Sequence, residues 1–570
     1  MGFNIKKSIL VFLFLLVIFI SSVIVWYSPI LFKGFVPYKI CPSINAARNI
    51  STAGFFSLES NLNVVLASSL VAEQGEISSL GSKFTAFSYS GIQNVFGSFS
   101  PQELIFTDII LRAVALLLFT ILVSNLFNRK TGLLFALVYI FLPFNWRASY
   151  SIGSYEFALI FIALFSLFYF QAEKKNIQRY ARFFWILAGV FLAGAVLSKE
   201  CFILVPTFLV LFLLWKKRKE ALIFIMIPFV LLMSVFWLPN FIQRSIYFNL
   251  LTGVPIEKSA SVDFSFYGHF YPDPYTYHFN KDAFLQENLE KYNQGTFSVE
   301  KIEKLKIMEN IGAKKISFLE RLKVGLIIGS RHVFRLFSLE DVGGPFVFLL
   351  ILLGLYSLRR KNRYLYQFFV CWLFLSIFLM SFIILVVRSH LVDFNWAIAL
   401  MITLGIFTIV RIVSKYFGLK KKKIMWIQIL VFGAVLYNFV LATHVLLGRV
   451  YNDTSVLQME AYSQLIKPLD IDDKEVIALD VPEDRLYHLN YLTDKSLVIF
   501  RAGTIKDLIE ENKLEFAFEK FNVGYIIGYS DDLSEKIIEQ VNIVNIGSSP
   551  IEPVEPDISR NKGWFMNLIK

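Results

Sequence analysis

Long apolar runs recur along this chain, and every second connection between them is short and crowded with lysine and arginine. The first run, Ser8 to Tyr27, follows Lys6 and Lys7, and no small-x-small cleavage site follows it, so it is expected to be retained. Others begin near Leu104, Thr131, Tyr155, Arg182, Phe202, Ala221, Pro345, Leu365, Phe394 and Ile424. A helix needs roughly 20 apolar residues to cross the hydrocarbon core of a bilayer. Most of these runs supply them, the one at Phe202 being the shortest. Residues of hydrophobic type make up 56% of the chain, 60 of them phenylalanine, more than the roughly 45–50% of an ordinary soluble domain. The expectation is an α-helical polytopic membrane protein with about 11 transmembrane helices.

Charge tests that count. With the N-terminus in the cytoplasm, the inner connections carry Arg129/Lys130, Lys174/Lys175/Arg179/Arg182, Lys216 to Lys219, Arg359/Arg360/Lys361/Arg363, and Lys415 with Lys420 to Lys423. Omitting one run would turn some of these clusters outward, against the positive-inside rule. The formal net charge of +12 is unevenly spread: residues 1–448 carry +21, and Arg449 to Lys570 carry −9. Positive charge confined to loops between spans does not point to nucleic acid.

Three segments are left on the outer side. They are a first loop of about residues 28–103, a second of about 239–344, and a tail over 448–570. The spacing predicts an amphipathic helix over Ser43 to Thr52 and a charge-mixed helical stretch over Val299 to Phe337. In the tail, the apolar runs Val476–Leu479, Leu497–Phe500 and Tyr525–Ile527 alternate with helical stretches Thr504–Lys513 and Asp532–Glu539. That alternation predicts a small soluble extracytoplasmic α/β domain beside a membrane module of residues 1–447. Three cysteines make neither a disulfide framework nor a metal set. Cys371 reads as a small hydrophobe, and Cys41 and Cys201 either bridge or stay as thiols.

No Walker loop, dinucleotide fingerprint, HExxH or CxxC pair occurs, and no large cytoplasmic domain is present to hold a nucleotide. A group-transfer donor would therefore arrive through the membrane or from outside, which favours a lipid-linked substrate. Long external loops argue against a minimal channel.

Several stretches together resemble the GT-C superfamily of membrane glycosyltransferases, in particular its protein O-mannosyltransferase and aminoarabinose transferase branch. Ile44 to Ile50 (INAARNI) with Gly54 to Leu58 is similar to the family's first-loop helix and turn. Tyr89 to Gly97 (YSGIQNVFG) is similar to the lead into the second span, and Tyr155-Glu156 to the acidic opening of the fourth. Gly189 to Pro206 (GVFLAGAVLSKECFILVP) resembles the next hairpin with its lysine, and Arg388 to Trp396 (RSHLVDFNW) an arginine-led entry to a late span. The resemblance implies sugar transfer, with inversion, from a polyprenyl-phosphate-linked sugar to an acceptor on the outer face, in the plasma membrane of a prokaryote. The acceptor, whether protein, lipid or glycan, carries no signature. In the family an acidic residue precedes the first-loop Ala-Arg-Asn by about eight positions. Here Lys39 and Ile40 stand there, and no aspartate occurs before Asp108.

Transfer needs a carboxylate to take the acceptor proton and cations to hold the departing phosphate. Glu156 is the candidate for acceptor contact, metal ligation or catalysis, against a plain helix-terminal carboxylate. Glu59 is the substitute base. Arg388 and Lys199 are the candidates for donor phosphate, against an interfacial arginine and a Lys199–Glu200 ion pair. Asp108 and Arg112, four apart on one helix face, are either functional or a self-neutralising pair. His269 and His278, with Asp273 between them, are the candidates for a divalent ion. Arg331, His332 and Arg335 read as a basic interfacial face touching membrane lipids. The competing expectation is a catalytically silent relative: a carrier or flippase of lipid-linked sugars, or a membrane scaffold.

Overall fold

The computed structural model describes residues 15, 17–23, 25, 64–67, 85, 87–91, 101–143, 145, 154–252, 343–383, 394–418 and 421–451, and parts of 455–547. The chain divides into two compact units, one of residues 1–47, 79–241 and 325–452, the other of 48–78, 242–324 and 453–570.

The first unit is helical throughout its described residues. Its main helices are α1 (Pro101–Leu126), α2 (Arg129–Phe141), α3 (Ser154–Ala172), α4 (Ala181–Ser198), α5 (Leu204–Trp215), α6 (Lys219–Thr252, whose residues to 241 fall in this unit), α7 (Pro345–Lys361), α8 (Arg363–Ile383), α9 (Asn395–Tyr416) and α10 (Lys421–Tyr451). Six carry segments long and apolar enough to cross a membrane: Phe106–Leu126, Tyr155–Ala172, Gln178–Ser198, Lys219–Phe236, Asn395–Tyr416 and Lys423–His444. Leu204–Trp215 is apolar but 12 residues long. The chain is an integral membrane protein, and a full count of eleven spans stays an expectation.

Local chemistry marks the turns. Asn128 caps α2, its side-chain oxygen accepting from the Thr131 N–H at 3.0 Å; this supplies one of the partners a helix start lacks. Asn362 does the same between α7 and α8, accepting from the Leu365 N–H at 3.0 Å. Pro345 opens α7 after Gly344, where a missing N–H costs nothing.

Inside the unit, aromatic rings and small residues share the packing. Trp372 of α8 stacks on Phe208 of α5 with ring centres 5.8 Å apart, and Trp396 of α9 stacks on Phe119 of α1 at 5.4 Å. Gly354 of α7 and Gly405 of α9 bring two backbones together: a Cβ at Gly354 would lie 1.9 Å from the Met401 carbonyl oxygen. Without a hydrophobic drive between helices in lipid, such small-residue approaches are a main source of association. Cys371 is partly buried against this core. Cys41 lies outside the described residues, as does the side chain of Cys201.

The second unit is built on a five-stranded sheet in the order β1-β3-β2-β4-β5, every pair parallel. Its strands are β1 (Val64–Ala67), β2 (Val476–Leu479), β3 (Ser496–Phe500), β4 (Val523–Ile527) and β5 (Val544–Gly547). Helices α11 (Ser455–Ile466), α12 (Ala502–Glu510), α13 (Leu514–Phe521) and α14 (Asp531–Gln540) accompany them. Ile505, Leu508, Phe518 and Ile537 pack with Val498 and Ile526 in its core. One strand does not come from the tail: β1 belongs to the first loop and pairs with β3 in the register Val64↔Leu497. The amphipathic helix expected over Ser43–Thr52 and the stretch Val299–Phe337 lie outside the described residues.

Candidate functional site

The site begins with two residues of α1. Asp108 and Arg112 are one helical turn apart, so their side chains meet on one face, and Arg112 Nε donates to Asp108 Oδ2 at 2.7 Å. The guanidinium then reaches two other segments. Nη1 donates to the backbone carbonyl of Asn145, just beyond α2, at 3.1 Å. Nη2 donates to Oε1 of Glu156, in the first turn of α3. The i,i+4 pair read from the sequence thus has a third member, 44 residues further along. Asp108 and Glu156 are 0% and 1% exposed and Arg112 is 9% exposed, so water screens their charges little. Asp108 Oδ1 has no hydrogen-bond partner in the described structure.

Neighbouring residues hold the cluster in shape. Asn145 Nδ2 donates to the Tyr139 carbonyl at 2.7 Å, tying the segment after α2 back to that helix. Tyr89, fully buried in the short helix near residues 85–91, meets the Phe157 ring edge-on with centres 5.5 Å apart. Burial, reinforced by the Glu156 charge and opposed by Arg112, holds its hydroxyl well above the ordinary tyrosine range. Thr85 Oγ1 donates to the Ser198 carbonyl at 2.8 Å, joining the same short helix to the end of α4. Lys199 follows, its ammonium 5.6 Å from the centre of the Tyr155 ring, a cation–π distance.

A small recess of about 20 Å³ adjoins the cluster, lined by Arg112, Tyr139, Asn145 and Glu156 at its polar end and by apolar residues such as Phe19 and Leu159. The recess has room for about one water molecule beside the polar end of the cluster. Two carboxylates with a guanidinium between them do not by themselves fit a divalent cation. Among the described residues, no group of three or more His, Cys, Asp or Glu is placed to hold a metal.

Of the candidates read from the sequence, Glu156 lies in the cluster and Lys199 lies on the ring of its neighbour Tyr155. Glu59, Arg388, His269 and His278 lie outside the described residues, as do Arg331, His332 and Arg335. Sequence reasoning did not single out Tyr89, Tyr139 or Asn145. Tyr89 sits in a flagged stretch, but a backbone carbonyl acting as acceptor, as at Asn145, leaves no trace in residue type.

Residues 84–242 match the family described as dolichyl-phosphate-mannose-protein mannosyltransferase, a stretch that includes Tyr89, Asp108, Arg112, Asn145, Glu156 and Lys199. No curated protein matches the sequence. Among solved structures, the oligosaccharyltransferase of Archaeoglobus fulgidus in complex with Zn and sulfate is similar at 12% identity and a TM-score of 0.50. The match covers 89% of this chain and 67% of that one. ArnT from Cupriavidus metallidurans, bound to undecaprenyl phosphate, is similar at 10% identity and a TM-score of 0.46, over 93% of this chain and 89% of its own.

Proposed function

We propose that the chain is a GT-C-type glycosyltransferase, moving a sugar from a polyprenyl-phosphate donor to an acceptor hydroxyl on the outer face; its likeness in fold to a solved oligosaccharyltransferase and the family match over residues 84–242 support this. The donor class is supported by the family matching residues 84–242, whose description names a dolichyl-phosphate-linked mannose. Glu156 carries the reading. It is a buried carboxylate at the mouth of a span, fixed by Arg112 and edging a recess.

In the reaction, the acceptor oxygen attacks the anomeric carbon while its proton passes to the Glu156 carboxylate. The bond from that carbon to the phosphate oxygen breaks, its electron pair staying on the phosphate, and the configuration inverts. Arg388 offers a fork that matches phosphate oxygens, and Lys199 adds a point charge. Glu59 is the second candidate base. The N-terminus is cytoplasmic and the tail of residues 448–570 extracytoplasmic in this reading, as the basic connections require.

One observation favours a second reading. Arg112 already engages Glu156, and Lys39 and Ile40 stand where relatives carry a first-loop acid. A silent relative that only binds or carries lipid-linked sugars would look like this.

The test is transfer by the purified chain in liposomes, supplied with radiolabelled lipid-phosphate sugars extracted from native membranes. Glu156→Gln is expected to cost a factor of roughly 10²–10⁴, the usual worth of a general base. Full turnover by that variant removes Glu156 from the mechanism. A wild type that binds the lipid but never turns over belongs to the second reading.

A further inference from the structure

We propose that Asp108 is a positioning residue for Glu156, acting through Arg112. The proposal rests on the reading above, in which Glu156 takes the acceptor proton. All three guanidinium nitrogens of Arg112 are engaged, each by a different segment: Nε by Asp108, Nη1 by the Asn145 carbonyl and Nη2 by Glu156. These limbs differ in kind. Asp108 lies four residues before Arg112 on the same helix, so their contact survives any shift of α1 against α3. The Glu156 limb crosses between helices and breaks with such a shift. When Glu156 turns to the acceptor, Asp108 keeps the guanidinium where it is.

A purely structural pair would not need Asp108. One guanidinium and one carboxylate already compensate each other, and ionisable groups at this depth are costly. Asp108 adds a second buried carboxylate, with Oδ1 lacking a hydrogen-bond partner in the described structure. What it supplies is a second hold on the guanidinium from its own helix, which keeps the fork aimed at Glu156. The charged and titratable groups facing the cluster are Asp108 and Arg112 of α1, Tyr139 of α2, Glu156 of α3, and Tyr89 of the short helix. Lys199 lies over the adjacent Tyr155.

In the liposome transfer assay, Asp108→Asn weakens the hold on Arg112 Nε, and kcat falls by about tenfold while KM stays in place. Asp108→Glu restores a charged acceptor and recovers part of the rate. Arg112→Lys keeps the charge but loses the fork, so kcat again falls while KM stays in place. An Asp108→Asn variant with wild-type kcat, or one whose loss lies in KM alone, overturns the proposal. A second readout needs no turnover: the infrared carboxyl bands of protein labelled with ¹³C-glutamate, the Glu156 band identified by its loss in Glu156→Gln. Displacement of that band in Asp108→Asn upholds the role of Asp108 even in a wild type that transfers nothing, which would sink the transferase reading alone. An unmoved band refutes the role of Asp108 even where transfer is found.

Discussion

Substituting Gly354 by alanine is expected to strain the membrane unit more than one added methyl group suggests. A Cβ there would lie 1.9 Å from the Met401 carbonyl oxygen, and one at Gly405 would lie 2.0 Å from the Leu350 carbonyl oxygen. Nonbonded heavy atoms are comfortable at about 3.5 Å, so α7 and α9 must part by more than about 1 Å. The obstacle is backbone in both cases, and no side chain can swing aside. Overpacking of this sort costs about 1–3 kcal/mol, and each single variant belongs at the upper end. The two glycines face one close approach, so the separation forced by one alanine makes room for the other, and the double variant costs less than the sum. Gly433 of α10 is the control. Nothing lies within 4 Å of its Cβ position, and Gly433→Ala gains up to about 1 kcal/mol from helix propensity. Equilibrium unfolding in mixed micelles, titrated with sodium dodecyl sulfate, reads all four proteins. Single variants within about 0.5 kcal/mol of wild type, or strictly additive costs, would falsify the close packing of α7 on α9.

Three further outcomes are expected. Arg112→Leu leaves two buried carboxylates without their guanidinium and lowers unfolding stability by about 3–5 kcal/mol; a loss under about 1 kcal/mol in the same titration contradicts a buried cluster. Glu173, bonded to Arg218 at 2.9 Å, has its carboxyl pushed up by burial, with Arg218 pulling the other way. A carboxyl raised in the fold stabilises most below its unfolded value, and that stability is lost as pH rises through the folded one; Glu173→Gln should flatten this decline above about pH 4.5, and an unchanged slope refutes the assignment. Hydrogen exchange should show the peptide over Val64–Ala67 protected in the intact chain and released by Val498→Pro, because β1 has β3 as its neighbour; equal exchange in both rules out the pairing.

Much of the membrane unit was legible because its determinants are local. Each described helix from α1 to α10 lies over an apolar run, and the Arg359–Arg363 and Lys216–Lys219 clusters fall at helix ends. The runs at 476–479, 497–500 and 525–527 likewise lie within β2, β3 and β4. β1 was not legible. It is four residues, VVLA, inside a loop, and its partner strand lies more than 400 positions away, so nothing local announces a strand. The site divides in the same way. The spacing of Asp108 and Arg112 is visible in any helix, and Glu156 stood out as an acid opening an apolar run. That Arg112 would reach Glu156 depends on how α1 and α3 pack, and side-chain periodicity does not encode that.

The central claim, a lipid-linked sugar donor held by this fold, is tested most directly by native mass spectrometry of the protein extracted with its own lipids, comparing wild type with Arg388→Ala. The account predicts a polyprenyl phosphate or its glycosylated form on the wild type, its mass naming the sugar, and loss of that adduct in the variant. A wild type that carries no such lipid, with the same lipid profile as Arg388→Ala, would contradict it and move the scaffold reading ahead of transfer.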